Sequence, residues 1–298
     1  MIFSSLIDFL LEEQIKFNLN FDTSKLVSIK IGGCCKVVVF PNTTEKLIKI
    51  ITLIKDQKNV IIGNGTNCFF TDDSYDGVVV VTKNIDNIDV RGTSITAQCG
   101  ASLNKICGAA LKNSLSGLEF ASGIPGSLGG AVYMNASAFG SDISSVIESS
   151  TILDLDTCEI SKISNQEHTF GIKNSVFRNK KYVHLDSTIC LASDESNSIS
   201  QRMNKYMEHR KNTQPLDCYS AGSVFIKPKE GYAAQMIEAV GLKGYSIGGA
   251  QISKKHAGFI INVDNAKAND VFELIKVSKE RVFKKFGVEL KEEIIFIK

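Results

Sequence analysis

Ser122-Gly123-Ile124-Pro125-Gly126-Ser127-Leu128-Gly129-Gly130-Ala131-Val132-Tyr133-Met134-Asn135-Ala136 is the stretch on which the reading of this 298-residue chain turns. From Gly117 to Gly130, five glycines, two serines and a proline occupy fourteen positions. Backbone without Cβ atoms can approach a ligand closely, and a wrapped cofactor diphosphate accounts for this composition better than a plain surface loop. Upstream, Val60-Ile61-Ile62-Gly63-Asn64-Gly65-Thr66-Asn67 is a strand running into small residues whose amides could receive a phosphate oxygen. Cys68 stands where a dinucleotide fingerprint would need its third glycine and no helix clearly follows Asn67, so the segment taken alone reads more readily as a strand-ending turn.

Two further segments follow. Gln214-Pro215-Leu216-Asp217-Cys218-Tyr219-Ser220-Ala221-Gly222-Ser223-Val224-Phe225 places a serine after a glycine in a bend of small residues, with no base beside it and without the spacing of a nucleophile elbow. Phe286-Gly287-Val288-Glu289-Leu290-Lys291-Glu292-Glu293-Ile294 is an acidic tail that by itself reads as a solvated face.

Around these segments the periodicity alternates. A strand at Val37–Phe40, a helix from Asn42 to Lys55 and a strand at Val60–Gly63 read as a βαβ unit. Strands are expected at 77–82, 85–90, 94–98, 150–155, 182–191, 258–263 and 294–297, and helices at 102–112, 232–240 and from Asp270 to a left-handed cap at Gly287. The helix ending near Lys211 and the Gln214-Pro215 break mark a second module. The expected organisation is an N-terminal helix in 1–25, a first domain at 26–195 with subdomains 26–75 and 76–195, and a C-terminal α+β domain at 196–298.

The balance of 34 Lys+Arg against 32 Asp+Glu excludes binding to nucleic acid by bulk electrostatics. No apolar run approaches the roughly 18 residues of a membrane span, and the amphipathic start carries acids and lacks a basic leader, so a cytoplasmic protein is expected. The eight cysteines contain no C-x-x-C pair and read as reduced packing residues. The four histidines form no ligand motif, and no metal is expected.

Taken in order, these segments resemble the UDP-N-acetylmuramate dehydrogenase family, also called UDP-N-acetylenolpyruvoylglucosamine reductases, in its shorter class without an extra insertion. The resemblance runs from about Ile29 to Ile297 and includes Lys30-Ile31-Gly32-Gly33, Thr213-Gln214-Pro215 and the stretch from Gly241 to Gln251. It implies a two-subdomain FAD-binding fold of the vanillyl-alcohol-oxidase (PCMH) type followed by a C-terminal α+β substrate domain. FAD would lie against Ile62, Gly63, Asn64, Gly65, Thr66, Asn67, Ser122, Gly123, Gly126, Ser127, Gly129, Gly130, Asn135 and Ala136. NADPH would reduce the flavin, whose N5 would give a hydride to C3 of an enolpyruvyl UDP-sugar. Ser223 matches the proton donor to C2 and Glu293 the catalytic glutamate. Lys173 stands where the family has arginine, in Phe170-Gly171-Ile172-Lys173-Asn174-Ser175, and keeps the charge without the bidentate fork. Lys227 replaces an asparagine in Ile226-Lys227-Pro228. Lys243, Gln251 and His256 are the expected substrate contacts, and no obligate protein partner is implied. Two other readings fit the same loops: a flavin oxidase of this fold, and a flavin- or nucleotide-binding protein that has lost catalysis.

Overall fold

The computed structural model describes residues 2–298. Cα packing divides the chain into two units, one made of 1–18, 37–64 and 77–209 and the other of 19–36, 65–76 and 210–298. The main break lies at 209/210 rather than at the expected 195/196, and two early segments belong with the C-terminal part.

In the first unit, helix α1 (Ile2–Glu12) and helix α2 (Thr44–Ile54) cover a four-stranded sheet. The N-terminal segment expected as a helix is helical only to Glu12 and continues as the strand Lys16–Asp22. Thr43 caps α2, its hydroxyl accepting the Lys46 amide at 3.3 Å. Leu47, Ile50, Ile51 and Ile54 then face Leu6, Leu10, Val37, Val39, Val78 and Val80 in one apolar cluster. The sheet runs Lys16–Asp22, Cys34–Phe40, Tyr75–Val81, Asn59–Ile62. The expected βαβ unit is therefore corrected in one respect, since Tyr75–Val81 lies between its two strands and pairs parallel with Asn59–Ile62. Val78 to Val81 are buried without alternation, and a run apolar on both faces needs a central position.

A five-stranded antiparallel sheet completes this unit in the order Ile160–Ser164, Ile147–Asp154, Tyr182–Cys190, Ser94–Gln98, Ile88–Arg91. The strand expected from Ile85 starts only at Ile88, because Ile85 turns inward, its amide bonding the Thr82 carbonyl and its carbonyl receiving the Gly100 amide. Helices α3 (Leu103–Lys112) and α4 (Leu128–Met134) bring Leu103, Ile106, Leu128 and Val132 into a core with Ile95, Ala97, Ile152 and Ile189. Helix α5 (Ser196–Thr213) is polar, with Ile199 its buried residue.

The second unit holds an antiparallel sheet ordered Tyr219–Ser223, Phe259–Asn262, Ala250–Ile252, Ser246–Ile247, together with helix α6 (Ala233–Ala239) and helix α7 (Ala268–Phe286). Gly287 ends α7 at φ +68°, as its position predicts. The last strand, Ile295–Ile297, lies parallel to Cys68–Phe70, and Phe69, Phe272 and Phe296 meet there at centroid distances of 4.9–5.7 Å.

Candidate active site

In the first unit the two glycine loops lie side by side. Ile62 ends its strand with a carbonyl that accepts the Thr82 amide at 3.0 Å, and the chain then turns through Gly63 and Asn64 toward the 122–130 segment. The Asn64 side chain donates to the Pro125 carbonyl at 3.1 Å. A Cβ on Gly63 would run into the Ser127 hydroxyl, and one on Gly130 would stand 3.5 Å from the same oxygen. Gly63 is therefore needed for close approach rather than for a turn, whereas a Cβ at Gly130 would make an ordinary contact.

The polar groups of this cradle divide into used and unused ones. The Ser122 hydroxyl donates to the Glu119 carbonyl at 2.8 Å, and the Gly129 amide to the Cys99 carbonyl at 2.8 Å. Glu119 is itself held by the Arg202 guanidinium at 2.7 Å, an anchor on α5 that no local pattern announces. This pairing and the hydrogen bonds from Gly117 and Ser116 hold the Glu119 carboxyl below its ordinary range although burial pushes the other way. By contrast the amides of Gly63, Asn64, Gly123, Gly126 and Ser127 donate to nothing among the described residues. The Ser127 hydroxyl is buried and has no partner among them either. An orphaned buried hydroxyl amid several free amides is costly without an acceptor, and a diphosphate supplies acceptors in that number. The residues present thus fit FAD.

Asn135 and Ala136 serve the loop that carries Lys173 and the turn before it. Asn135 closes α4 in the left-handed region at φ +42°; its Nδ2 donates to the Gly171 carbonyl at 3.0 Å and its Oδ1 accepts the Ser144 amide at 3.1 Å. Ala136 exchanges backbone hydrogen bonds with Ala131 and Ile143. Gly171 and Asn174 bond each other reciprocally, Lys173 sits at φ +53°, and Arg178 Nη1 donates to the Lys173 carbonyl at 2.8 Å. A depression of about 300 Å³ opens here, lined by Asn135, Ser137, Asp142, Ser144, Phe170 and Lys173 among others.

The second unit brings Ser223 and Glu293 into neighbouring segments. Gly222, at φ +78°, breaks the pairing of Tyr219–Ser223 with Phe259–Asn262, and this irregularity sets Ser223 opposite Phe259. The Ser223 hydroxyl is half-buried and donates to the Phe225 carbonyl at 3.3 Å, a long bond that costs little to exchange. The Glu293 amide donates to the Val224 carbonyl at 2.8 Å, the Ile226 amide to the Lys291 carbonyl at 2.9 Å, and Phe225 bridges to Glu292. Asn67, expected at the cofactor, braces this tail, since its Nδ2 donates to the Glu293 carbonyl at 3.3 Å and its own carbonyl receives the Ile295 amide. Gly65 adopts φ +64°, and its carbonyl accepts the Ser28 amide at 2.9 Å. The amides of Gly65, Thr66 and Asn67 donate to nothing among the described residues.

Lys243 pairs with Glu238 at 2.9 Å, and Gln251 Nε2 donates to the Ser246 hydroxyl at 2.9 Å. His256 Nδ1 accepts the Gly258 amide at 3.1 Å, and burial, joined by the nearby Lys243 charge, holds this imidazole below its ordinary pKa. Lys227 lies over the Tyr232 ring at 4.3 Å, a cation–π contact.

Comparison with known proteins agrees with this geometry. The family described as FAD binding domain matches residues 35–164, and the one described as UDP-N-acetylenolpyruvoylglucosamine reductase, C-terminal domain, matches 214–297. The UDP-N-acetylenolpyruvoylglucosamine reductases of Caldicellulosiruptor bescii and Caldanaerobacter subterraneus subsp. tengcongensis are 42% and 44% identical to it, over 95% and 94% of this chain and 91% and 93% of theirs. The crystal structure of UDP-N-acetylenolpyruvylglucosamine reductase from Thermus caldophilus superposes with a TM-score of 0.81 at 26% identity, covering 95% of this chain and 99% of that one. An α+β fold with an FAD-binding domain followed by a C-terminal domain of the reductase kind defines the protein as a flavin-dependent oxidoreductase. More specifically, the chain belongs to the UDP-N-acetylenolpyruvoylglucosamine reductase family.

Proposed function

We propose that this protein reduces UDP-N-acetylenolpyruvoylglucosamine to UDP-N-acetylmuramate with electrons from NADPH, a cytoplasmic step in supplying peptidoglycan precursors. The observation that carries the reading is the pairing of the Ser223 and Glu293 segments through the Val224 carbonyl, in a family member whose glycine loops leave several amides without an acceptor among the described residues. No described helix is long and apolar enough to cross a membrane. Bound FAD supplies the hydride that reaches C3 of the enolpyruvyl group.

The residues of the chain then have distinct tasks. Hydride addition builds negative charge on C2 and its carboxylate, so the site must stabilise that charge and deliver one proton from a fixed direction. Ser223 supplies the proton to C2: its hydroxyl turns from the Phe225 carbonyl toward the substrate, and transfer to so basic a carbon is downhill. Lys173 balances the substrate carboxylate as a point charge. Glu293 is compatible with a neighbouring carboxylate only when protonated or cation-paired. Gly63, Asn64, Gly123, Gly126 and Ser127 would hold the cofactor, and Lys243, Gln251 and His256 would contact the diphosphate or sugar of the substrate.

Anaerobic flavin spectra test this reading. NADPH should bleach the yellow band and the enolpyruvyl substrate should restore it. Ser223→Ala should still bleach at the native rate yet restore absorbance about a hundredfold more slowly or worse. Restoration at the native rate in that variant would sink the assignment of the proton donor, and bleaching with no restoration in the native protein would sink the substrate.

A further inference from the structure

Behind the Lys173 loop lies a chain of buried hydrogen bonds that the proposed mechanism does not use. His184 Nε2 stands 2.6 Å from the Ser187 hydroxyl, which is 2.6 Å from the Ser150 hydroxyl, which is 2.8 Å from His168 Nε2. His168 Nδ1 lies 2.7 Å from the Ser164 carbonyl oxygen. All four side chains are buried, and Ser150 and Ser187 are direct partners on adjacent antiparallel strands.

One fixed end sets the direction of every bond. A carbonyl can only accept, so His168 carries its proton on Nδ1, and in the neutral ring Nε2 is then an acceptor. Ser150 must spend its single proton on that nitrogen, and Ser187 must spend its own on Ser150. The Ser187 oxygen is thereby left to accept from His184 Nε2–H. His184 Nδ1 is consequently a bare lone pair, and this atom is indeed buried without a partner among the described residues. Gly129 packs against it: a Cβ there would lie 3.4 Å from Nδ1 and 3.1 Å from the Cys99 carbonyl oxygen. The unmet group at this end is an acceptor, which costs less than a buried N–H with no partner.

The other end reaches the candidate site. The His168 ring stacks on Phe170 at 4.7 Å with planes 7° apart, and Phe177 packs against both histidines at 5.9 and 5.7 Å. Past Phe170 the chain enters the Gly171–Asn174 turn, which Asn135 and Arg178 fasten at Gly171 and Lys173. We infer that the His184–Ser187–Ser150–His168 relay is a positioning device, in which His168 fixes the Phe170 platform and so sets where Lys173 meets the substrate carboxylate. His168 is a positioning residue that touches no reactant, and the inference rests on the proposed role of Lys173.

Two measurements test it in the full-length holoenzyme. With only four histidines in the chain, ¹⁵N-histidine NMR can resolve each ring. Two neutral rings of opposite tautomer, Nδ1–H for His168 and Nε2–H for His184, are expected to persist across about pH 5–8. The same tautomer in both, or either ring protonating near its ordinary pKa, would overturn the relay, and this needs no variant. His168→Asn keeps the donor to Ser164 and loses the bond to Ser150. It should slow substrate-driven flavin reoxidation by about tenfold or more while leaving reduction by NADPH unchanged, a split that general destabilisation would not give. His168→Asn added to Lys173→Ala should slow reoxidation no further. If Lys173→Ala slows reoxidation and His168→Asn does not, the positioning role falls while the role of Lys173 stands. If Lys173→Ala itself reoxidises at the native rate, the role of Lys173 is wrong and the positioning role falls with it. Should His168→Asn fail to fold, Ser150→Ala opens the same link and is read in the same way.

Discussion

At the residue scale, Ser127 is the clearest case of a side chain whose cost in the protein alone is explained by what it would hold. Its hydroxyl is buried, unpartnered among the described residues, and faced by two glycines. Replacing it by alanine removes an unmet polar group as well as a contact to FAD, so stability and cofactor affinity should move in opposite directions. Ser127→Ala should leave the thermal midpoint of the FAD-free protein unchanged or higher, while FAD binds about tenfold more weakly, the worth of a hydrogen bond of about 1.4 kcal/mol to a charged acceptor. Fluorescence titration of FAD into the stripped protein measures the second, and equal affinities would show that Ser127 is only packing. The lysine at 173 illustrates a different lesson: its backbone lies in the left-handed region with its carbonyl held by Arg178, while Asn135 fastens the same turn at Gly171.

At the scale of elements, helix α7 is joined to the turn that precedes it in space by one carboxylate. Asp270, in the first turn, accepts the Lys267 amide at 2.9 Å and the Gly249 amide at 3.1 Å, and so ties the helix start to the bend at 248–249. Gly248 at φ +52° passes so close to that carboxylate that a Cβ there would overlap it. Asp270→Ala leaves two amides unmet and should lower unfolding stability by about 1–2 kcal/mol. Urea denaturation gives the answer, and an unchanged midpoint would mean that water replaces the carboxylate without loss. Asp270 was legible from sequence only as the start of a helix; its second partner, Gly249, lies 21 residues away and left no local signal. The same limit hid the strand Tyr75–Val81 at the middle of its sheet, because hydrophobic pattern indicates that a strand is buried but not between which others.

At the scale of the whole molecule, buried imidazoles make stability depend on pH. Burial pushes the His184 pKa down to about 3, and also lowers those of His168 and His256. Their rings stay neutral when folded and take up protons near the ordinary value when unfolded. The unfolded chain therefore binds more protons as pH falls below about 6.5, and stability is lost in that direction, at up to about 1.4 kcal/mol per pH unit for each such histidine. Between about pH 7.5 and about pH 5.5, His184 alone should account for a loss of about 1.4 kcal/mol. Urea midpoints at the two pH values should show it, and His184→Leu should flatten the dependence. Equal midpoints in the native protein would contradict neutral burial.

What the sequence by itself determined about this protein was the set of properties that depend on near neighbours along the chain. Glycine density marked the loops at 63–65 and 122–130, periodicity marked the helices, and Gly287 marked the end of α7, because conformational freedom and amphipathic faces are local. The order of the motifs further carried the family resemblance. Tertiary structure alone decided which polar groups were consumed within the chain and which were left for a ligand. Asn67 braces Glu293 across 226 positions, Arg202 holds Glu119 across 83, and Ser150 meets Ser187 across 37, pairs for which no spacing rule exists. Such bonds form only after strands have found their register, and register is settled by the burial of whole faces rather than by any single residue.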